Sequence, residues 1–258
     1  MQETHFIQWF VLAFIQGLTE YLPISSTAHL ILVKEVMGWK EQSLILDIAA
    51  HSGSLLAVMW YFKTELFKLF QGSNWKLFNQ LVIASIPLAI MGYVFKDYIE
   101  SSLRSPLVIA CSSIVFGIVL YASDYIGRLR IQKPKNLGMK HAVIIGLSQI
   151  FALIPGASRS GVTMSAAMAQ GFTRTKAAQF SFLLAIPALL MVTAYGFFKI
   201  IKEPQDYNLL GVTTVLLVSF LASLISIKVF LKLIEKISLT VFVWYRIALA
   251  ILILVLIR

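Results

Sequence analysis

Along this chain the apolar positions gather into long uncharged runs rather than alternating stripes. Four of them, 77–95, 106–123, 177–198 and 209–227, approach the roughly 20 residues a helix needs to cross about 30 Å of hydrocarbon. Two more, 44–62 and 239–257, reach the same length while carrying ionisable groups, Asp47 and His51 in the first and Arg246 in the second. Six transmembrane helices are predicted. The runs 6–22 and 142–154 are too short or too broken to join them. Each is followed by a polar stretch that opens on a proline, Pro23 or Pro155, and then by a second short run reaching Met37 or Gly171. Both read as helix, polar break, helix, with the proline ending the first helix and a Ser or Thr capping the second. Backbone opened at membrane depth must be buried in protein or line a wet cavity, so these are predicted re-entrant hairpins.

Composition agrees: 59% of the residues are hydrophobic and 13% charged, with a mean hydropathy of +0.83, against about 45–50% apolar and 25% charged in a typical soluble domain. No cleavable leader is read at the N-terminus, because residues 1–4 lack a basic region and the first apolar run meets Gln16 and Glu20 instead of a small-residue cleavage site. The single cysteine, Cys111, falls in a span and is expected to be a small packing residue. A net charge of +10 raises the question of nucleic acid, but the basic residues are spread over short loops, so no nucleic-acid partner is expected.

Aligning Pro23 with Pro155 also sets Ser26 on Ser158. With three spans after each hairpin, the chain divides into pseudo-repeats 1–124 and 140–258, joined by a basic loop 125–139, within one membrane domain. An odd number of spans per half forces opposite orientations. Loop charge tests that layout: Lys63, Lys68, Lys76, the basic stretch 128–140, Arg174, Lys176, Lys228, Lys232 and Lys236 crowd one predicted side, and fewer fall on the other. The crowded side is the expected cytoplasmic one. The predicted fold class is therefore an all-α polytopic membrane protein, six transmembrane helices plus two re-entrant hairpins in an inverted-topology repeat.

Ionisable groups inside a membrane are costly and mark function. Glu20 lies four residues after Gln16, on one helical face, and Ser26 and His29 share a face of the helix that follows. A carboxylate, a hydroxyl and an imidazole at a helix start offer a nucleophile, a base and N–H groups aimed at an anion. The second break supplies Arg159 with Ser158, Ser160 and Thr163, while Gly156 and Gly161 permit close backbone approach. That combination suits phosphate oxygens. A turn whose Arg snorkels to lipid headgroups is the plainer alternative for it. His51 and Asp47 could line a cavity or make an interhelical hydrogen bond. Arg246, about 10 Å into its span by helical rise, is expected to snorkel to the interface as a structural residue.

The stretches 16–29 (QGLTEYLPISSTAH) and 155–163 (PGASRSGVT) resemble the two signature motifs of the bacterial undecaprenyl-diphosphate phosphatase family, the bacitracin-resistance proteins, and the likeness covers essentially the whole chain. It implies a membrane hydrolase that cuts undecaprenyl diphosphate to the monophosphate and inorganic phosphate, recycles the lipid carrier of cell-wall synthesis and confers bacitracin resistance. It also implies a plasma-membrane enzyme with its site open to the outer face, helped by a divalent cation, Mg or Ca. Carried over by residue, it puts Glu20, Ser26 and His29 in catalysis, with Glu20 also a metal ligand. Arg159, Ser158, Thr163, Ser160, Gly156 and Gln16 are placed at the substrate. Gln16 stands where the family has Glu or Gln, so here it orients rather than acts as an acid. Ser26 is read as the nucleophile with His29 as its proton acceptor; His29 itself, or a water activated by Glu20, fits the same residues. The expected partners are the polyprenyl diphosphate and membrane lipids, and a homodimer is compatible with the sequence. A lipid-phosphate transporter or flippase is the competing function, since inverted repeats with broken helices are also carrier architecture.

Overall fold

The computed structural model describes residues 2–39, 43–130, 136–202 and 207–256. These residues form helices joined by turns. In chain order they are α1 (Gln2–Thr19), α2 (Ser26–Met37), α3 (Leu44–Tyr61), α4 (Lys63–Phe70), α5 (Trp75–Val94), α6 (Lys96–Ser102) and α7 (Pro106–Arg130). There follow α8 (Met139–Gln149), a 3₁₀ turn (Ile150–Leu153), α9 (Arg159–Ala169), α10 (Arg174–Lys202), α11 (Leu209–Leu233) and α12 (Thr240–Leu256). Five, namely α3, α5, α7, α10 and α11, are long and apolar enough to cross a membrane, so the chain is a multi-pass membrane protein. The sixth predicted span is α12, 17 residues over the described chain. Of the expected basic loop, residues 131–135 lie outside the described residues.

Exposure follows a bilayer rather than water. On α5 the bare side chains Val82, Ile86, Ile90 and Tyr93, and on α11 Leu217, Leu221 and Ile225, recur at helical spacing. Such faces find in lipid a solvent as apolar as themselves. Cys111 is exposed rather than packed. The most enclosed span is α10, whose Phe182 lies at the centre of the main core with Tyr21, Leu120, Ile145, Met164 and Phe230.

Because lipid provides no hydrophobic drive between helices, close approach and polar contacts hold them together. Around α11 the contacts are made by small residues. Ser219 Oγ donates to Ala50 O at 2.6 Å, Ser223 Oγ to Gly17 O at 3.1 Å and Ser226 Oγ to Leu18 O at 2.7 Å. A Cβ on Gly53 would meet Leu216 O and would lie 2.9 Å from Phe220 N.

The two hairpins share one construction. Ser25 and Ser158, at φ 67° and 69°, are the N-caps of α2 and α9, and their hydroxyls accept from Ala28 N at 3.4 Å and Gly161 N at 3.2 Å. Both helices stop at a left-handed glycine. Trp39 N reaches back to Lys34 O around Gly38, and Phe172 N to Ala167 O around Gly171, the double-bonded C-terminal motif glycine favours. Gly38 stands as far beyond Ser25 as Gly171 stands beyond Ser158. The structural register therefore pairs Ser25 with Ser158, one residue away from the Ser26 to Ser158 pairing that the prolines suggest, because the cap rather than the proline starts the helix.

The tight seam between α3 and α11 gives a stability prediction. Gly53→Ala should destabilise the protein by about 1–3 kcal/mol through overpacking, although alanine is the better helix former. Gly92→Ala, whose Cβ would meet only Leu153 at 3.5 Å, should be neutral or better. Thermal unfolding of both variants in detergent measures the difference.

Candidate active site

Helix α1 closes with Glu20 N on Gln16 O at 3.0 Å, and the chain then opens until Ser25 caps α2. Helix α8 likewise passes through the 3₁₀ turn and opens until Ser158 caps α9. Ser26 and Arg159 are thus each the first residue of a helix. Both helix starts border one cavity of about 250 Å³, lined by Glu20, Ser25, Ser26, Thr27, His51, Ser158 and Arg159 on its polar side and by Leu88, Leu153, Ala188, Leu189 and Val192 on its apolar side. Free N–H groups and the positive dipole ends of two helices favour an anion there.

Glu20 is the hub. Its carboxylate accepts from Gln16 Nε2 at 2.9 Å, Ser26 Oγ at 3.1 Å and Arg159 Nη2 at 3.4 Å. Since a carboxylate only accepts, Gln16 must present its nitrogen, and the same nitrogen meets His51 Nδ1 at 3.2 Å. Gln16 therefore holds Glu20 and His51 through one amide nitrogen, and His51 both lines the cavity and makes an interhelical hydrogen bond. Asp47 is not among the lining residues. Arg159 also donates to Ser181 O at 3.1 Å, and its guanidinium lies 5.9 Å from the Tyr21 ring centre. Its Nε is buried with no protein partner.

Several expected substrate contacts turn out to serve the protein itself. Ser160 is fully buried and donates to Leu22 O at 2.8 Å. Thr163 donates to Arg159 O at 2.8 Å and shares a 2.7 Å hydrogen bond with Ser181 Oγ. Neither lines the cavity. Gly156 lines it, but its φ of 95° and the Ser112 and Ile109 atoms its missing Cβ would strike show that the turn needs a glycine. Gly161 approaches Arg246 and Ser158, a Cβ there falling 3.1 Å from Arg246 Nη1.

Ser26 and His29, expected to work as a pair, have separate partners. Ser26 turns to Glu20, while His29 donates from Nδ1 to Ser25 O at 2.7 Å and meets Tyr245 OH at 2.6 Å through Nε2, the two rings stacked. His29 lines a different cavity, with Tyr245, Phe242 and Thr19. Shared helical face at i and i+3 did not decide side-chain direction; the bond to the Ser25 carbonyl one turn back did. Helix α2 is too short to span, and burial holds the His29 pKa below the usual histidine range against the opposing pull of the Ser25 bond. Among the described residues no three His, Cys, Asp or Glu side chains gather as a metal site.

Comparison with known proteins gives the family. The family described as Bacitracin resistance protein BacA matches residues 9–252. The chain belongs to that family. Within it, the chain is 41% identical to Undecaprenyl-diphosphatase 2 of Stutzerimonas stutzeri (strain A1501), over 97% of each chain. It is 40% identical to Undecaprenyl-diphosphatase of Campylobacter curvus (strain 525.92), over 93% of this chain and 95% of the relative. The match to the bacitracin resistance family spans both chain breaks and all five long spans.

The hydrogen bonds predict opposite tautomers. A carbonyl cannot donate, so neutral His29 carries its proton on Nδ1; an amide nitrogen cannot accept, so neutral His51 carries its proton on Nε2. Nitrogen NMR of histidine-labelled protein at neutral pH should show one resonance pair of each kind at these two residues, assigned by His29→Gln and His51→Gln. The same tautomer at both would contradict the geometry.

Proposed function

We propose that this chain is a membrane-embedded undecaprenyl-diphosphatase, hydrolysing the lipid diphosphate to its monophosphate and inorganic phosphate and so returning the carrier lipid to cell-wall synthesis and conferring bacitracin resistance. One observation carries the reading: the Ser26 hydroxyl donates to Glu20, which also receives Arg159, at two helix starts facing one cavity. The names of the relatives support a hydrolase over a carrier.

Ser26 Oγ attacks the terminal phosphorus while its proton passes to Glu20 Oε2. The bond from phosphorus to the bridging oxygen breaks, and Glu20 passes the proton to that departing oxygen. In the second half a water attacks the phosphoserine and gives a proton to Glu20, which returns it to Ser26 Oγ as phosphate leaves. Arg159, with the N–H groups at the starts of α2 and α9, neutralises the phosphoryl oxygens, the main need of this chemistry. Gln16 and His51 hold Glu20. His29, fastened to Ser25 O and Tyr245, steadies the start of α2 instead of taking the proton. Ser158 supports the clamp as the α9 cap, and Ser160, Thr163 and Gly156 hold the loop that carries Arg159. A divalent cation would have Glu20 as its protein ligand and the diphosphate for the rest of its shell, adding charge neutralisation when bound.

The first isoprene units of the prenyl tail enter the apolar cavity of about 360 Å³ that adjoins the site and shares Leu88, Leu153, Ala188 and Val192 with it, between α5 and α10, and the rest of the tail runs into lipid. With α12 counted as a sixth span and the two hairpins re-entrant, the halves 1–124 and 140–258 form an inverted repeat. The paired caps and the parallel partnerships of α1 with α11 and α8 with α5 support it. Loop charge supports a bacterial inner-membrane protein whose site opens outward.

Purified protein should release phosphate from a long-chain prenyl diphosphate. Ser26→Ala and Glu20→Gln should each lower turnover by about 10²–10⁴ with a smaller change in KM, and Arg159→Ala should raise KM as well. Wild-type protein that moves the lipid across vesicles without cleaving it would establish the carrier instead. In a Cys111→Ser background, cysteines at Lys232 and Lys96 should react from opposite sides of the membrane.

A further inference from the structure

Arg246 does not reach the interface. It is fully buried in α12, and among the described residues no carboxylate pairs with it. Four backbone carbonyls receive it instead: Nε donates to Ser113 O of α7 at 3.0 Å, Nη1 to Pro23 O at 3.2 Å, and Nη2 to Gly156 O at 2.9 Å and Ala157 O at 3.1 Å. Three of the four belong to the two chain breaks, Pro23 just ahead of the Ser25 cap and Gly156 and Ala157 just ahead of the Ser158 cap.

We infer that Arg246 is a positioning residue that clasps the two breaks together and so sets Ser26 and Arg159 against each other across the cavity. The chemistry of the guanidinium suits this task. It is a planar fork of five N–H donors that stays charged, whereas a lysine is a single point with three. Carbonyls in the opened segments have no helical partner of their own, and each carries the negative end of its own peptide dipole. A cation is therefore held there without an acid, and one plane of donors reaches acceptors on three segments at once. The room for it is built in: Gly117 and Gly161 both face this side chain, with Cβ positions 3.7 Å and 3.1 Å from its nitrogens. Neither break contributes a complete site, since Ser26 and Glu20 come from the first and Arg159 from the second. Their relative placement depends on what ties the breaks, and a misplacement on the order of 1 Å can cost about 10² in rate.

The role in turnover rests on the phosphatase reading, but the clasp itself does not. In the wild-type protein, native-state hydrogen exchange should show the amides of residues 22–28 and 155–161 opening as one unit, with a common rate and a common dependence on denaturant. Independent rates would overturn the clasp, and this arm needs no mutant to fold. In Arg246→Lys and Arg246→Gln, both breaks should exchange faster together. Turnover per molecule able to bind a non-hydrolysable methylene-diphosphonate analogue should fall at least about 10²-fold, with KM within about threefold. A merely structural arginine would lower the yield of folded protein and leave turnover per binding-competent molecule at the wild-type level, which would overturn the proposal. If wild-type protein releases no phosphate while the breaks still exchange as one unit, the catalytic reading falls and the clasp stands.

Discussion

A helix broken inside a membrane releases carbonyl and amide groups into a medium that cannot hydrate them, and each must find a partner in the protein. Two helix breaks meet in this membrane protein, and their carbonyls account for much of the polar chemistry around them. Leu22 O receives Ser160, Pro23 O receives Arg246, Ser25 O receives His29, Pro155 O receives Ser112, and Gly156 O and Ala157 O receive Arg246. The second break is rich in serine for this reason as much as for any ligand. The neighbouring turns of α1 are held the same way, by Ser223 and Ser226 of α11.

Once those obligations are met, few polar side chains remain free to face the cavity: Glu20, Ser26, His51 and Arg159, with Ser25, Thr27 and Ser158 at the helix starts. The site is small because the backbone consumes most of its surroundings. Its preorganisation has the same origin. Ser158 and Ser160 belong to the second break and bond to Leu22 of the first, so the segment that carries Arg159 and the segment that carries Glu20 and Ser26 are held by one network.

What could be read from sequence follows from which signals are local. The spans were legible because a run of apolar residues near the bilayer thickness has little other use: α5 is shifted by one or two residues from its predicted run, and α7, α10 and α11 run past theirs by three to seven residues at an end. The breaks were legible because Pro23 and Pro155 stand among polar residues between short apolar runs, although α1 already closes at Thr19 and the long spans α5 and α10 continue through Pro87 and Pro187. Three features were not. Arg246 lies near one end of its span in sequence, so rise per residue pointed to the interface. What holds it inside is a set of carbonyls from three distant segments, which no local pattern reports. His29 shares a face with Ser26, but spacing gives a face and not a rotamer, and the bond to the Ser25 carbonyl set the direction. His51 could not be separated from an ordinary interhelical histidine until Gln16 and the cavity were seen on either side of it. The one signal that could have raised it was its position four residues beyond Asp47 in a span with few other polar groups.

The corrected register of the two breaks bears on why the arrangement works as an enzyme. With Ser25 on Ser158, the first residue of α2, Ser26, corresponds to the first residue of α9, Arg159. Gln16 corresponds to Gln149, Glu20 to Leu153 and His29 to Val162. The scaffold is therefore shared while the side chains at its working positions differ. Gln149 is buried with neither end of its amide partnered, whereas Gln16 spends its nitrogen on Glu20, the residue the second half replaces with leucine. A carrier that alternates between two faces needs its halves to offer the substrate comparable contacts in both states. Here one helix start offers a hydroxyl on a carboxylate and the other a guanidinium, and in the proposed mechanism a phosphoryl group between them would meet an attacking atom on one side and neutralising charge on the other. That division matches the two demands of in-line phosphoryl transfer, and it arises from placing unlike residues on two like turns.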